Sequence, residues 1–144
     1  MSDLFDFQET WEELVDKAIS GGYESLTPDE KVWLNAQYLT NSIGNGGLIS
    51  YYYNSPADTL EDCLKALEIL GATRMKDLME RINRLFPGGV PKDVALRNEI
   101  INSWPENDEN FEKLHDDIEN AALSEMTKVE SRLVEFIQQA GIGT

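Results

Sequence analysis

The chain has 144 residues, of which 41% are hydrophobic, with one cysteine and a formal net charge of −15. That length and apolar content suffice for one domain with a buried core and exclude a disordered acidic chain, while the lone Cys63 excludes an internal disulfide and suits a reducing compartment. No apolar run approaches a membrane span, the opening MSDLFDFQETWEEL lacks the basic n-region of a signal peptide, and a soluble cytoplasmic protein forming a single domain over 1–144 is expected.

Phe7, Trp11, Leu14, Val15, Ala18 and Ile19 recur at helical spacing. Gly21-Gly22 should stop that helix, since glycine readily takes the left-handed C-terminal position. Thr27-Pro28-Asp29-Glu30 then combines a cap, a proline at the first helical position and the glutamate of a capping box. Val32, Trp33, Ala36 and Leu39 give the next apolar stripe, running to about Asn41. Ser55-Pro56-Ala57-Asp58 repeats the capping grammar ahead of Leu60, Cys63, Leu64, Leu67 and Leu70, with Gly71 as the stop. Thr73 opens the following helix, with Met75, Leu78, Met79, Ile82 and Leu85 inward. Pro87-Gly88-Gly89-Val90-Pro91 must be a loop, because two prolines and two glycines defeat both helix and strand. A shorter helix over residues 92–103 ends before Trp104-Pro105. A last helical region spans residues 107–139, with Phe111, Leu114, Ile118, Leu123, Met126, Val129, Leu133 and Ile137 as its apolar positions and a break expected near Ala121 to Ser124. The whole predicts an all-α, compact helical bundle of six to eight helices, with Trp33, Leu64, Leu67, Leu78 and Ile82 in its core.

Asn45-Gly46-Gly47, followed by Leu48-Ile49-Ser50-Tyr51-Tyr52-Tyr53, carries a hairpin signal between two helical segments. A hairpin needs a partner run before the turn, and Leu39 to Ile43 is better explained as the end of a helix. Leu48, Ile49, Tyr52 and Tyr53 fall on one helical face. A tight turn at Gly46-Gly47, one of them with positive φ, and a short aromatic helix over 48–54 are therefore expected, with a strand as the alternative.

The charge is polarised. Residues 1–30 hold nine acids and one base, residues 31–104 eight of each, and residues 105–144 ten acids and three bases. Direct binding to nucleic acid or to an anionic membrane is disfavoured, because phosphates attract the opposite sign. Acidic helix faces that only keep the protein soluble are the plain alternative.

Five segments in register carry a resemblance: Thr27-Pro28-x-Glu30-x-Val32-Trp33, Asn45-Gly46-Gly47, Tyr51-Tyr52-Tyr53-Asn54-Ser55, Leu64 to Ala72, and Phe86-Pro87-Gly88-Gly89-x-Pro91. The final acidic helix with Phe111, Leu114 and Asp117 fits as well. Over residues 25–139 the chain resembles the DNA-mimic protein family, acidic and all-helical. The resemblance implies an α-helical fold and binding to a DNA-binding protein in place of DNA. It supplies no catalytic residues.

The side chains offer little chemistry of their own. Glu112 and His115 have the Glu-x-x-His spacing of di-iron bundles, but such sites need a second copy, and His115 is the only histidine. It reads as a solvated residue, and no metal or other cofactor is expected. Cys63 lies on an apolar face as a small buried hydrophobe. Gly44-Asn45-Gly46-Gly47 matches no dinucleotide or phosphate-loop fingerprint. Tyr51, Tyr52 and Tyr53 suit core packing with at least one facing solvent, or a pocket with Asn54. No arrangement supports an enzyme.

Duplex DNA carries one charge per roughly 1.7 Å of axis, or 3.4 Å per strand. As one helix, residues 105–139 would span about 52 Å, and their net charge alone is too sparse for a strand. Mimicry is arithmetically feasible only if the two acidic ends converge on one face, or if a homodimer joins two such faces. The expected contact residues for a basic DNA-binding partner are Glu106, Asp108, Glu109, Glu112, Asp116, Asp117 and Glu119, among which Glu109, Glu112 and Asp116 form a row. A general protein-interaction domain stands second, and an enzyme with an unrecognised pocket third.

Overall fold

The computed structural model describes residues 3–144; Met1 and Ser2, where the expected domain begins, lie outside the described residues. Seven α-helices and no strand are found among them: α1 Gln8–Gly21, α2 Pro28–Gly46, α3 Leu48–Tyr53, α4 Leu60–Leu70, α5 Thr73–Asn83, α6 Val94–Asn102 and α7 Glu109–Ala140. The fold is the all-α bundle expected. Short 3-10 turns occupy Leu4–Phe7, Tyr23–Ser25 and Ser55–Thr59. Among the described residues no helix is long and apolar enough to cross a membrane.

Local chemistry explains most boundaries. The hydroxyl of Thr27 accepts from the Glu30 N–H at 3.2 Å, and the Glu30 carboxylate accepts from the Thr27 N–H at 2.9 Å, which is the expected capping box. Gly71 closes α4 in the left-handed conformation at φ 72°. Gly47, at φ 89°, separates α2 from α3, and its N–H closes α2 on the Ile43 carbonyl at 3.0 Å. Gly46 keeps helical geometry, so Gly47 alone makes the turn.

Several expected boundaries move. Helix α2 runs to Gly46 rather than to about Asn41. Its buried Ile43 extends the stripe of Leu39, and packing outweighs the weak helix propensity of Asn41, Ser42 and Asn45. Ser55 does not cap a helix; it is the first residue of a 3-10 turn, with Asn54 at the cap position, and α4 begins at Leu60. Asp58, the carboxylate that would complete a capping box there, is held instead by Arg97 at 2.8 Å. The break expected near Ala121 to Ser124 is absent, since α7 is continuous and the fully buried Ala122 is a strong helix former packed against the core.

Two apolar clusters fill the interior. One surrounds α3, where Leu48, Tyr51 and Tyr52 meet Leu67, Met79 and Ile118. The other gathers Trp11, Trp33, Leu70, Leu133 and Ile137. Helix α7 contributes to both, and α2 packs along α3, α4 and α7. Trp33, Leu67, Leu78 and Ile82 are buried as expected, while Leu64 is half-buried and Ile19 faces water.

Candidate functional site

The first four turns of α7 hold most of the expected contact residues. Asp108 caps the helix, its carboxylate accepting from the Asn110 and Phe111 N–H groups at 3.0 and 3.1 Å. That places negative charge where the helix dipole is positive. Glu106 lies exposed in the preceding loop. Glu109, Glu112 and Asp116 are exposed on the helix, and their spacing sets them along one flank. Asp117 stands on an adjacent face and pairs with Lys113 at 3.4 Å.

Glu119 is a correction to that set. Its carboxylate turns inward and accepts from the Leu48 N–H at 2.5 Å and the Ile49 N–H at 2.8 Å, fastening the start of α3. The approach is close enough that a Cβ on Gly47 would lie 2.7 Å from Glu119 Oε1. His115 is likewise not the solvated residue expected. Its ring stacks on Phe111 at 6.3 Å, faces Trp104 at 6.4 Å, and brings Nε2 to 3.5 Å from the Glu119 carboxylate.

The other end of α3 is held by a residue that sequence reasoning missed. Arg97 is fully buried. Its Nε donates to the Tyr52 carbonyl at 2.8 Å, and its Nη2 donates to the Asn54 carbonyl and to Asp58, both at 2.8 Å. Its Nη1 donates to the Pro91 and Lys92 carbonyls at 3.1 and 2.7 Å, tying the loop before α6 to the same point. The short helix thus has a carboxylate at its N-terminus and a guanidinium at its C-terminal carbonyls, each matching the local dipole. The sequence does not single it out: Val94 to Ile101 reads VALRNEII, in which Arg97 stands with Asn98 and Glu99 between apolar residues as an ordinary solvated trio would.

The tyrosines serve packing. Tyr51 and Tyr52 are buried, and the Tyr52 hydroxyl donates to Asn83 at 2.6 Å; Tyr53 is the one that reaches the surface. A groove of about 610 Å³ lies between α4, α5 and the loop at Phe86–Gly89, and none of the three tyrosines lines it. Cys63 is fully buried, which pushes its thiol up to about 12. Among the described residues no three His, Cys, Asp or Glu side chains are arranged to hold a metal ion.

The acidic N-terminal segment meets α7 near its other end. Thr10 donates to the Gly143 carbonyl at 3.0 Å, and Phe7 lies against Gly143 and the end of α7. Burial, and then the negative charge of Asp3, raise the pKa of Glu130. Glu130 follows Glu112 by 18 residues, which is five helical turns, or about 27 Å along the same flank. The two acidic segments therefore share α7, one toward each end, rather than overlying one another.

A protein-family model described as DMP19-like protein matches residues 24–140. No curated protein and no solved structure matches the chain.

Proposed function

The chain belongs to the DMP19-like family, and from that premise we propose that it is a non-enzymatic acidic binding protein that mimics DNA and occupies the DNA-binding surface of a partner such as a transcription regulator. The observation that carries this reading is the exposed row Glu109, Glu112 and Asp116 at the start of α7, where the one neighbouring base, Lys113, is paired with Asp117 at 3.4 Å. Three carboxylates over about 10.5 Å of helix axis stand about 5 Å apart, sparser than the about 3.4 Å per phosphate of a DNA strand, and the N-terminal acids lengthen this charged face toward the other end of α7 rather than raise its density. The three stand where Lys and Arg side chains aimed at phosphates can reach them. Glu119, committed to α3, is left out of the contact set, and Asp117 is weakened in it by Lys113.

The test is displacement of DNA from a basic DNA-binding protein recovered with this chain. Wild type should release the DNA, and the complex should weaken steeply with salt. Changing Glu109 and Glu112 to Gln and Asp116 to Asn keeps the helix and removes three charges. Equal displacement by that variant, or no response of DNA binding to the wild type, rejects the assignment.

A further inference from the structure

The acidic flank of α7 is not uniformly acidic. Glu109, Asp116, Leu123 and Glu130 follow one another at seven-residue intervals, about 10.5 Å each. Seven residues fall only about 20° short of two turns, so the four side chains stay on one side of the helix. Leu123, 56% exposed, is thus an uncovered apolar side chain with a carboxylate one step before it and another one step after. The second of these, Glu130, is half-buried on the same side of the helix. The bases of α7 point elsewhere: Lys113 to Asp117, Lys128 to Glu125, and Arg132 to the Leu70 carbonyl.

We propose that this flank takes a basic protein surface carrying an apolar side chain midway between two clusters of Lys or Arg about 21 Å apart, the axial distance of fourteen helical residues. The inference rests on the DNA-mimic reading and narrows its partner. A DNA groove offers phosphates at its rims and an apolar thymine methyl between them; here carboxylates stand for the former and Leu123 for the latter. The arrangement also has the form of an interface, with an apolar centre inside a charged rim. Charge argues against a second copy of this chain as the occupant. An antiparallel pairing of two α7 helices centred on Leu123 sets Asp116 of each copy against Glu130 of the other, and like charges in register repel.

Two synthetic helical peptides supply the probe. Each carries paired arginines near both ends, fourteen residues apart, and they differ only in a central Leu or Ser. Binding is read by fluorescence anisotropy against the wild-type chain and against Leu123→Gln, which keeps helix propensity. The wild type should bind the Leu peptide about fivefold more tightly than the Ser peptide, from partial burial of two apolar side chains. Leu123→Gln should lose that preference while keeping its affinity for the Ser peptide. Equal, salt-sensitive binding of both peptides by wild type overturns the role of Leu123 and leaves the DNA-displacement result untouched. Failure to bind either peptide also overturns it. A wild-type dimer that Leu123→Gln converts to monomer in sedimentation would show that a second copy covers the leucine, and that too overturns it.

Discussion

Glu112 and Glu119 stand two turns apart on α7 and carry the same charge, yet they belong to different parts of the molecule. Glu112 looks into water beside Glu109 and Asp116. Glu119 looks into the protein and holds two backbone N–H groups of α3. The difference lies in what comes within reach. Glu119 faces the positive-φ turn at Gly47, which exposes the unpaired donors at the start of a helix; nothing comparable stands over Glu112. A carboxylate becomes part of the fold where backbone donors converge on it, and stays available for a partner where they do not. The same rule separates Arg97, surrounded by four carbonyls and Asp58, from the exposed bases of the middle segment.

If that division is right, stability should respond to the inward charges and not to the outward ones. The largest effect belongs to Arg97→Met, which strands carbonyls at the end of α3 and in the loop before α6. A loss of about 3–5 kcal/mol in urea unfolding is expected; less than about 1 kcal/mol would mean that water replaces the guanidinium freely. Gly47→Ala should follow at about 2–4 kcal/mol, from a backbone region reserved for glycine and from displacement of Glu119. Gly46→Ala should cost less, since it is helical and its closest neighbour is the Ser50 side chain. Glu119→Gln keeps one of two acceptors and should cost about 1–3 kcal/mol, together with faster amide exchange at Leu48 and Ile49. The triple change at Glu109, Glu112 and Asp116 should move unfolding by no more than about 0.5 kcal/mol. A large loss there would place the row in the fold and break the comparison.

The smallest effect is one of sign. Burial and Asp3 hold the Glu130 pKa above its ordinary value, so the folded state binds the proton more tightly than the unfolded chain. Stability therefore falls as pH rises from the unfolded value near about 4.3 through the raised folded value, and stays lower above it. Glu130→Gln should then unfold later than wild type at pH 7 and show no such advantage near pH 3. Glu30 behaves oppositely. Burial opposes its ionisation, but the ion pair with Lys17 and the Thr27 N–H prevail and lower its pKa. Its contribution is present above the unfolded value and is lost as pH falls through the folded one.

What could be read in the sequence was what lies close along the chain. The Thr27 capping box, the stop at Gly71, the Gly47 turn and the loop at Pro87–Pro91 each depend on residues within a few positions of one another. Contacts across the chain were not legible. Glu119 meets a helix that begins 71 residues earlier, and Arg97 reaches Tyr52 across 45 residues. No local pattern marks either. Ser55 shows the same limit from the other side, because a sound local signal gave way when Asp58 was taken by a distant arginine. At the surface, the row of acids follows from helical spacing alone, whereas Leu123, assigned to the interior by its periodicity, faces water on the outer side of a helix whose Ala122 and Val129 fill the core.

One consequence of α7 running unbroken from Glu109 to Ala140 concerns thermodynamics. The helix is anchored in both apolar clusters, so the carboxylates near its start are presented by a stiff template already ordered by folding. Docking to such a template needs no coupled ordering of chain, which removes a cost of several kcal/mol that disordered acidic segments meet on binding. Calorimetry of a complex made at the row should therefore show a small heat-capacity change, confined to the apolar surface around Leu123, and an association rate set chiefly by ionic strength.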